Sequence, residues 1–331
     1  MKRKYLILIP IICLITISLY YLPNSYKIKQ FLWANISLLL LIILSKLKTK
    51  SLLKYSELIY ILSIIALIFV LVFNKFTNGS RGWINLGIIS FQPSEIMKIA
   101  LILISLKYLN KIDNYLFILL YIIPMILIFL EPDTGGVIMD LIILMVFLFH
   151  QLKPKQYFRL ITITTLFIII GILIYHYNTD LIVKILGPQM FYRIDRISSF
   201  TSNNNLQSTN ALISIASGKT LYFPEMFNDF FIAYILSKNI WMIIPIIICT
   251  IWILLWLINK NTLIAQVVFY LFLWQFWWNL AMNLNLVPVI GIPYLFLSYG
   301  GSHILSSSIL IGLVLSNKDD YNSHNKGMVD T

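Results

Sequence analysis

Charge is scarce in this sequence. Only 11% of its 331 residues are Asp, Glu, Lys or Arg, and 59% are hydrophobic, whereas a soluble globular domain carries about a quarter charged residues. A water-soluble fold is excluded. The shortage is one-sided, with 13 acids against 25 bases and a net charge of +12. Cysteine is rarer still: Cys13 and Cys249 both fall within apolar stretches, so neither a disulfide framework nor a thiolate metal site can be built from them. There is no glycine-rich phosphate-binding loop, which removes nucleotide-driven chemistry. No internal repeat stands out, which weighs against an inverted-repeat transporter.

What the chain does have is long apolar runs, at about 5–22, 31–46, 56–73, 94–108, 115–131, 136–151, 158–176, 229–258, 263–283 and 299–316. Their lengths suit helices that cross a bilayer, and in hydrocarbon each backbone group must be satisfied within its own segment, so these runs become helices despite their isoleucines. The expected fold is an all-α integral membrane protein of about ten spans, one polytopic domain over 1–316 with a polar tail at 317–331. With the N-terminus cytoplasmic, the short inside segments hold Lys46, Lys48, Lys50, Lys54, Lys107, Lys111, Lys153, Lys155, Arg159 and Lys260. This is the positive-inside pattern, and an even span count returns the C-terminus to the cytoplasm. The surplus of positive charge therefore reads as topology and contact with anionic lipid rather than as nucleic-acid binding. Two outside segments, 74–93 and 177–228, are too long to be simple connectors.

Unusual polar residues gather in those outside segments and in the turns near them. Gly79-Ser80-Arg81-Gly82-Trp83 leads to Phe91-Gln92-Pro93-Ser94-Glu95 and Lys98. Ser94 reads as a helix cap, and Glu95 and Lys98, three apart, share one helical face. A structural pair is the bland alternative to function there. Glu131-Pro132-Asp133-Thr134-Gly135-Gly136 is a tight turn with two carboxylates that suits a cation, a basic side chain or plain solvent. Tyr192-Arg193-Ile194-Asp195-Arg196 offers two guanidinium groups suited to phosphate oxygens, or equally an amphipathic helix on the outer leaflet. Asp229 stands where a polar loop re-enters an apolar helix, where partial desolvation makes a carboxylate a credible general base. As an acid at a helix N-terminus it also has a purely structural reading. Between Pro288 and Ser302, prolines and glycines interrupt an apolar stretch that includes Gly291, Ser298 and Gly300. Broken backbone at membrane depth is tolerated only inside protein or along a cavity.

In this order the segments resemble the SEDS family of shape, elongation, division and sporulation proteins. The matching stretches are Arg81-Gly82-Trp83-Ile84-Asn85-Leu86-Gly87 with Phe91 through Lys98, then Glu131 through Gly135, and Tyr192-Arg193 with Arg196. Phe223-Pro224-Glu225 with Asp229-Phe230, Gly291-Ile292-Pro293 and Ser298 through Ser302 complete the set. The resemblance covers about residues 70 to 316. It implies a ten-span fold and a peptidoglycan glycosyltransferase that polymerises lipid II at the outer face of the bacterial cytoplasmic membrane. Its base would be Asp229. Arg81, Lys98, Arg193 and Arg196 would face the pyrophosphate, and Gln92, Glu95 and Ser298 would complete the substrate site. The family reading also permits a divalent cation, Mg or Mn, although no protein metal site is expected. It implies undecaprenyl-linked glycan as the second substrate and a class B penicillin-binding protein, a transpeptidase, as partner.

The sequence departs from the family pattern in three places. The glycine-rich stretch before Pro224-Glu225 is largely missing, Ser237 and Lys238 stand where two acids follow the aspartate, and Asn228 stands where Thr is common. These departures motivate the alternative of a non-catalytic scaffold for the transpeptidase. A lipid-linked precursor flippase is a third reading, disfavoured because the polar residues cluster on one side.

Overall fold

The computed structural model describes residues 2–74, 82–85, 90–177, 184 and 206–316. Among them the fold is all-α apart from a two-residue antiparallel hairpin, β1 (Ile84–Asn85) with β2 (Ser90–Phe91), in which Ile84 faces Phe91. The helices are α1 (Leu8–Tyr21), α2 (Asn24–Lys46), α3 (Thr49–Leu53), α4 (Ser56–Phe73), α5 (Pro93–Tyr108), α6 (Asn114–Leu130) and α7 (Thr134–Gln151). There follow α8 (Pro154–Tyr177), α9 (Leu206–Ser217), α10 (Phe231–Lys238), α11 (Ile243–Ile258), α12 (Leu263–Asn283) and α13 (Gly301–Ser316). The tail at 317–331 lies outside the described residues.

Burial is arranged as a bilayer demands. Helix α4 turns Leu58, Ile61, Leu62 and Ile65 outward, each more than half exposed, and buries Ser56, Ser63, Leu67 and Val70. Lipid is as apolar as leucine, so close packing through small residues, rather than hydrophobicity, decides which face turns inward. The same logic joins α2 to α13. Helix α2 buries Gln30, Ala34, Ser37, Leu41 and Ser45 at helical spacing, and Gly312 of α13 backs onto Leu41 so closely that an added methyl would stand 3.2 Å from its carbonyl oxygen. Any side chain at Gly301 would run into the Trp33 indole.

Among the described residues six helical stretches are long and apolar enough to cross a membrane: Lys4–Tyr21, Asn24–Lys46, Ser56–Phe73, Thr134–Gln151, Ile240–Ile258 and Leu263–Asn283. Asn114–Leu130 and Gly301–Ser316 are apolar but shorter. Two expected runs differ in the structure for local reasons. Helix α5 has only 16 residues and carries Glu95, Lys98 and Lys107. It packs against α3, α4, α6, α7, α12 and α13, so Glu95 and Lys98 stand inside the bundle, away from lipid, while the partly exposed Lys107 pairs with Glu57. The run 229–258, expected as one span, is broken at Asn239. That residue is extended, with φ −155°, and its Oδ1 accepts from the Trp241 N–H at 3.1 Å. An Asn able to cap the next turn competes with helix continuation, so α10 stops and a 3-10 turn, Ile240–Met242, leads into α11.

Residues 284–300 contain no helix, yet Ile292, Tyr294, Leu295, Phe296, Leu297 and Ser298 are almost wholly buried. Side chains satisfy this irregular backbone. Asn279 Nδ2 donates to the Ile292 carbonyl at 2.7 Å, Trp278 Nε1 to that of Pro288 at 3.3 Å, and Gln30 Nε2 to that of Ser298 at 3.2 Å. The expectation of a broken segment buried within protein describes this loop.

Candidate functional site

Asp229 sits on a platform built by two asparagines of α12. Asn279 Nδ2 donates to the Asp229 carbonyl at 2.8 Å and Asn283 Nδ2 to the same oxygen at 3.0 Å. Asn283 Oδ1 accepts from the Ala233 N–H at 2.9 Å, which closes the first turn of α10. Asn283 Nδ2 also reaches Asn279 Oδ1 at 3.1 Å. Both asparagines are fully buried, and at i and i+4 they stand on one face of the helix. Asp229 itself is partly exposed. Its carboxyl lies over Gly291: a methyl at that glycine would stand 3.6 Å from Asp229 Oδ2. Gly291 has φ +69°, a conformation that glycine adopts without strain.

The other wall is the start of α7. A methyl on Gly135 would stand 2.7 Å from the Gly291 carbonyl oxygen and 2.9 Å from that of Ile290, so the helix touches the loop backbone to backbone. Asp133 precedes α7 as its cap. Its Oδ1 accepts from the Gly136 N–H at 2.9 Å, and its Oδ2 accepts from Gln92 Nε2 at 2.8 Å and Ser94 Oγ at 3.1 Å. The Gln92 N–H donates to Ser302 Oγ at 3.1 Å. The Asp133 carboxyl is therefore engaged in joining α5 to α7. Ser94, expected as the cap of α5, lies within that helix behind Pro93 and serves Asp133 instead.

Glu95 and Lys98 form a buried pair at 2.8 Å, with Lys98 5% and Glu95 7% exposed. Ser306 donates to Glu95, and His303 Nδ1 lies 3.6 Å from it. Neither residue presents its charge at the surface as a substrate contact would. Ser298 is likewise fully buried. Its Oγ accepts from the Tyr294 N–H at 2.8 Å and closes a turn of the 284–300 loop. Gln92, partly exposed, has its amide on Asp133. Arg81, Arg193 and Arg196 lie outside the described residues. Among the described residues no group of three or more His, Cys, Asp and Glu side chains is placed to hold a metal ion.

Four residues of this region were not singled out from the sequence: Asn283, His303, Ser306 and Asp140. A signal existed for two of them. Asn283 repeats Asn279 one turn later in an apolar helix, and Asp140 is an acid inside an apolar run. His303 and Ser306 gain meaning only from Glu95, some 200 positions earlier.

Comparison with known proteins agrees with this architecture. The chain matches the FtsW/RodA/SpoVE family model, described as cell cycle protein, over residues 4–322. It is 28% identical over 295 residues to the probable peptidoglycan glycosyltransferase FtsW of Thiomicrospira cyclica, an alignment covering 77% of this chain and 72% of that one. A chain of the structure described as "Structural coordination of polymerization and crosslinking by a peptidoglycan synthase complex" superposes with a TM-score of 0.79 at 21% identity, covering 94% of this chain and 96% of that one. The Thermus thermophilus rod shape determining protein RodA superposes with a TM-score of 0.64 at 19% identity, covering 94% and 95%. At such identities the two structures speak for the fold. By the match along nearly its whole length, this multi-pass membrane chain with a RodA-like fold belongs to the SEDS family of FtsW, RodA and SpoVE.

Proposed function

We propose that this chain is a peptidoglycan glycosyltransferase that polymerises lipid II at the outer face of the bacterial cytoplasmic membrane. Residues 1–316 form one polytopic domain of about ten spans, with both termini and the 317–331 tail in the cytoplasm. Asp229 is the general base. It removes the proton from the attacking sugar hydroxyl of one lipid II molecule as that oxygen bonds to the anomeric carbon of the growing chain. The bond from that carbon to undecaprenyl pyrophosphate breaks, and the pyrophosphate leaves with the electron pair. Arg81, Arg193 and Arg196 supply positive charge to the leaving group. Lys98 acts from inside the bundle. A class B penicillin-binding protein crosslinks the product.

The observation that carries this reading is the platform: a partly desolvated carboxyl on a backbone fixed by Asn279 and Asn283. A base held in place contributes about 10²–10⁴ in rate. Purified protein, alone and with its transpeptidase, is given labelled lipid II. Wild type yields polymer, and Asp229→Asn, which keeps the anchored carbonyl, lowers turnover at least about 100-fold. Equal polymer from both refutes the base. Full rescue of growth by Asp229→Ala favours the scaffold.

A further inference from the structure

The buried pair on α5 leaves donors and acceptors unmatched. Lys98 carries three N–H donors, and among the described residues only Glu95 Oε1 forms an ion pair with it. On α7, Asp140 is fully buried, and neither of its carboxyl oxygens has a hydrogen-bond partner among the described residues. An isolated acid at such depth is costly and calls for a partner. Helices α5 and α7 pack directly together and start level with each other, since Gln92, just before α5, donates to Asp133, just before α7. Lys98 lies five residues past Pro93 and Asp140 six past Thr134, about 7.5 and about 9 Å along their helices at ~1.5 Å per residue. Asp140 interacts electrostatically with Lys98, Asp133 and Glu95, and also with Tyr60 and Tyr121. Of these Lys98 alone is a cation, and Asp133, which already holds three donors, does not compete for it.

We propose that Lys98 is a shared cation with two buried carboxylate berths, Glu95 on its own helix and Asp140 on α7, and that Asp140 is a positioning residue for the reaction at Asp229. On Glu95, Lys98 belongs to the network that joins α5 to α13 through Ser306 and His303. On Asp140 it ties α5 to α7 instead. The first turn of α7 bears on Gly291 through Gly135, and Gly291 underlies the Asp229 carboxyl. The berth that Lys98 occupies thus sets how firmly the wall beside the base is held. The effect on turnover rests on the proposed glycosyltransferase reading, whereas the sharing of Lys98 does not.

Two measurements on the full-length protein test this separately. In thermal unfolding, Asp140→Asn lowers the Tm of the wild type but leaves it unchanged or raised in the Glu95→Gln/Lys98→Met background, where Asp140 has no cation to receive. An equal shift in both backgrounds overturns the shared cation, because residues that act through one another do not add. Asp140→Leu, which removes the polar group altogether, gives the same contrast if the amide disturbs folding. In lipid II polymerisation, Asp140→Asn lowers kcat about 10-fold with KM within about twofold, and Asp140→Glu restores most of the rate. Wild-type kcat in Asp140→Asn overturns the positioning role. If the wild type makes no polymer, the glycosyltransferase reading fails, while the unfolding comparison still decides whether Lys98 is shared.

Discussion

Replacing Asn283 with alanine removes the side chain that joins the candidate base to the helix behind it. The loss comprises the bond to the Asp229 carbonyl, the bond that closes the first turn of α10 at Ala233, and the contacts of the same amide with the Asn279 carbonyl and Oδ1. The Asp229 carbonyl keeps Asn279 as a donor, so its own penalty is small. The Ala233 N–H is buried and loses its side-chain partner, at about 1–3 kcal/mol for an unmet polar group. With about 1 kcal/mol for the contacts with Asn279, the protein loses roughly 2–4 kcal/mol. Asn279→Ala acts on the base more directly, because Asn279 holds both Asp229 and Ile292 of the facing loop. Displacing a catalytic group by about 1 Å costs on the order of 10²-fold in rate. Turnover of labelled lipid II, measured below the Tm of each variant, is therefore expected to fall about 10-fold for Asn283→Ala and about 100-fold for Asn279→Ala. Lowered Tm with wild-type turnover in both would show that the platform stabilises the fold without positioning Asp229.

Two further predictions concern the walls of the site and the pair beneath it. Gly291→Ala puts a side chain at φ +69°, which costs about 1–2 kcal/mol, but its methyl meets Asp229 at an ordinary 3.6 Å. Gly135→Ala meets two carbonyl oxygens at 2.7 and 2.9 Å and must displace the loop, so it should reduce turnover more than Gly291→Ala; the reverse order would refute the backbone contact as a determinant of activity. Lys98→Met leaves Glu95 buried without its cation and should cost about 3–5 kcal/mol, most of it recovered in Glu95→Gln/Lys98→Met. Thermal unfolding reads this directly, and a single variant as stable as the double would mean that the pair is not desolvated as the structure has it.

How far the site could be read from the sequence depended on where each residue's partners lie. Glu95 and Lys98 are three apart, so their pairing on one face was legible, with the structural pair already an alternative to substrate contact. Their burial was not, because it comes from the helices packed around α5. Ser298 stood in a motif that pointed to substrate, but its hydroxyl closes a turn on Tyr294. The break at Asn239 hides inside an apolar run because one capping side chain outweighs the composition around it.

Composition and the spacing of apolar runs alone settled that this chain is a helical membrane protein, because hydrocarbon offers a backbone almost no other way to meet its hydrogen bonds. The order of short polar motifs was enough to indicate the family. Only the tertiary structure decided that Asp229 hangs from Asn279 and Asn283, that α7 abuts Gly291, and that Asp140 lies fully buried in α7. These arrangements join residues far apart in the chain, up to the 156 positions between Gly135 and Gly291, and a polar group's role inside a bundle is set by whichever partner the packing brings to it.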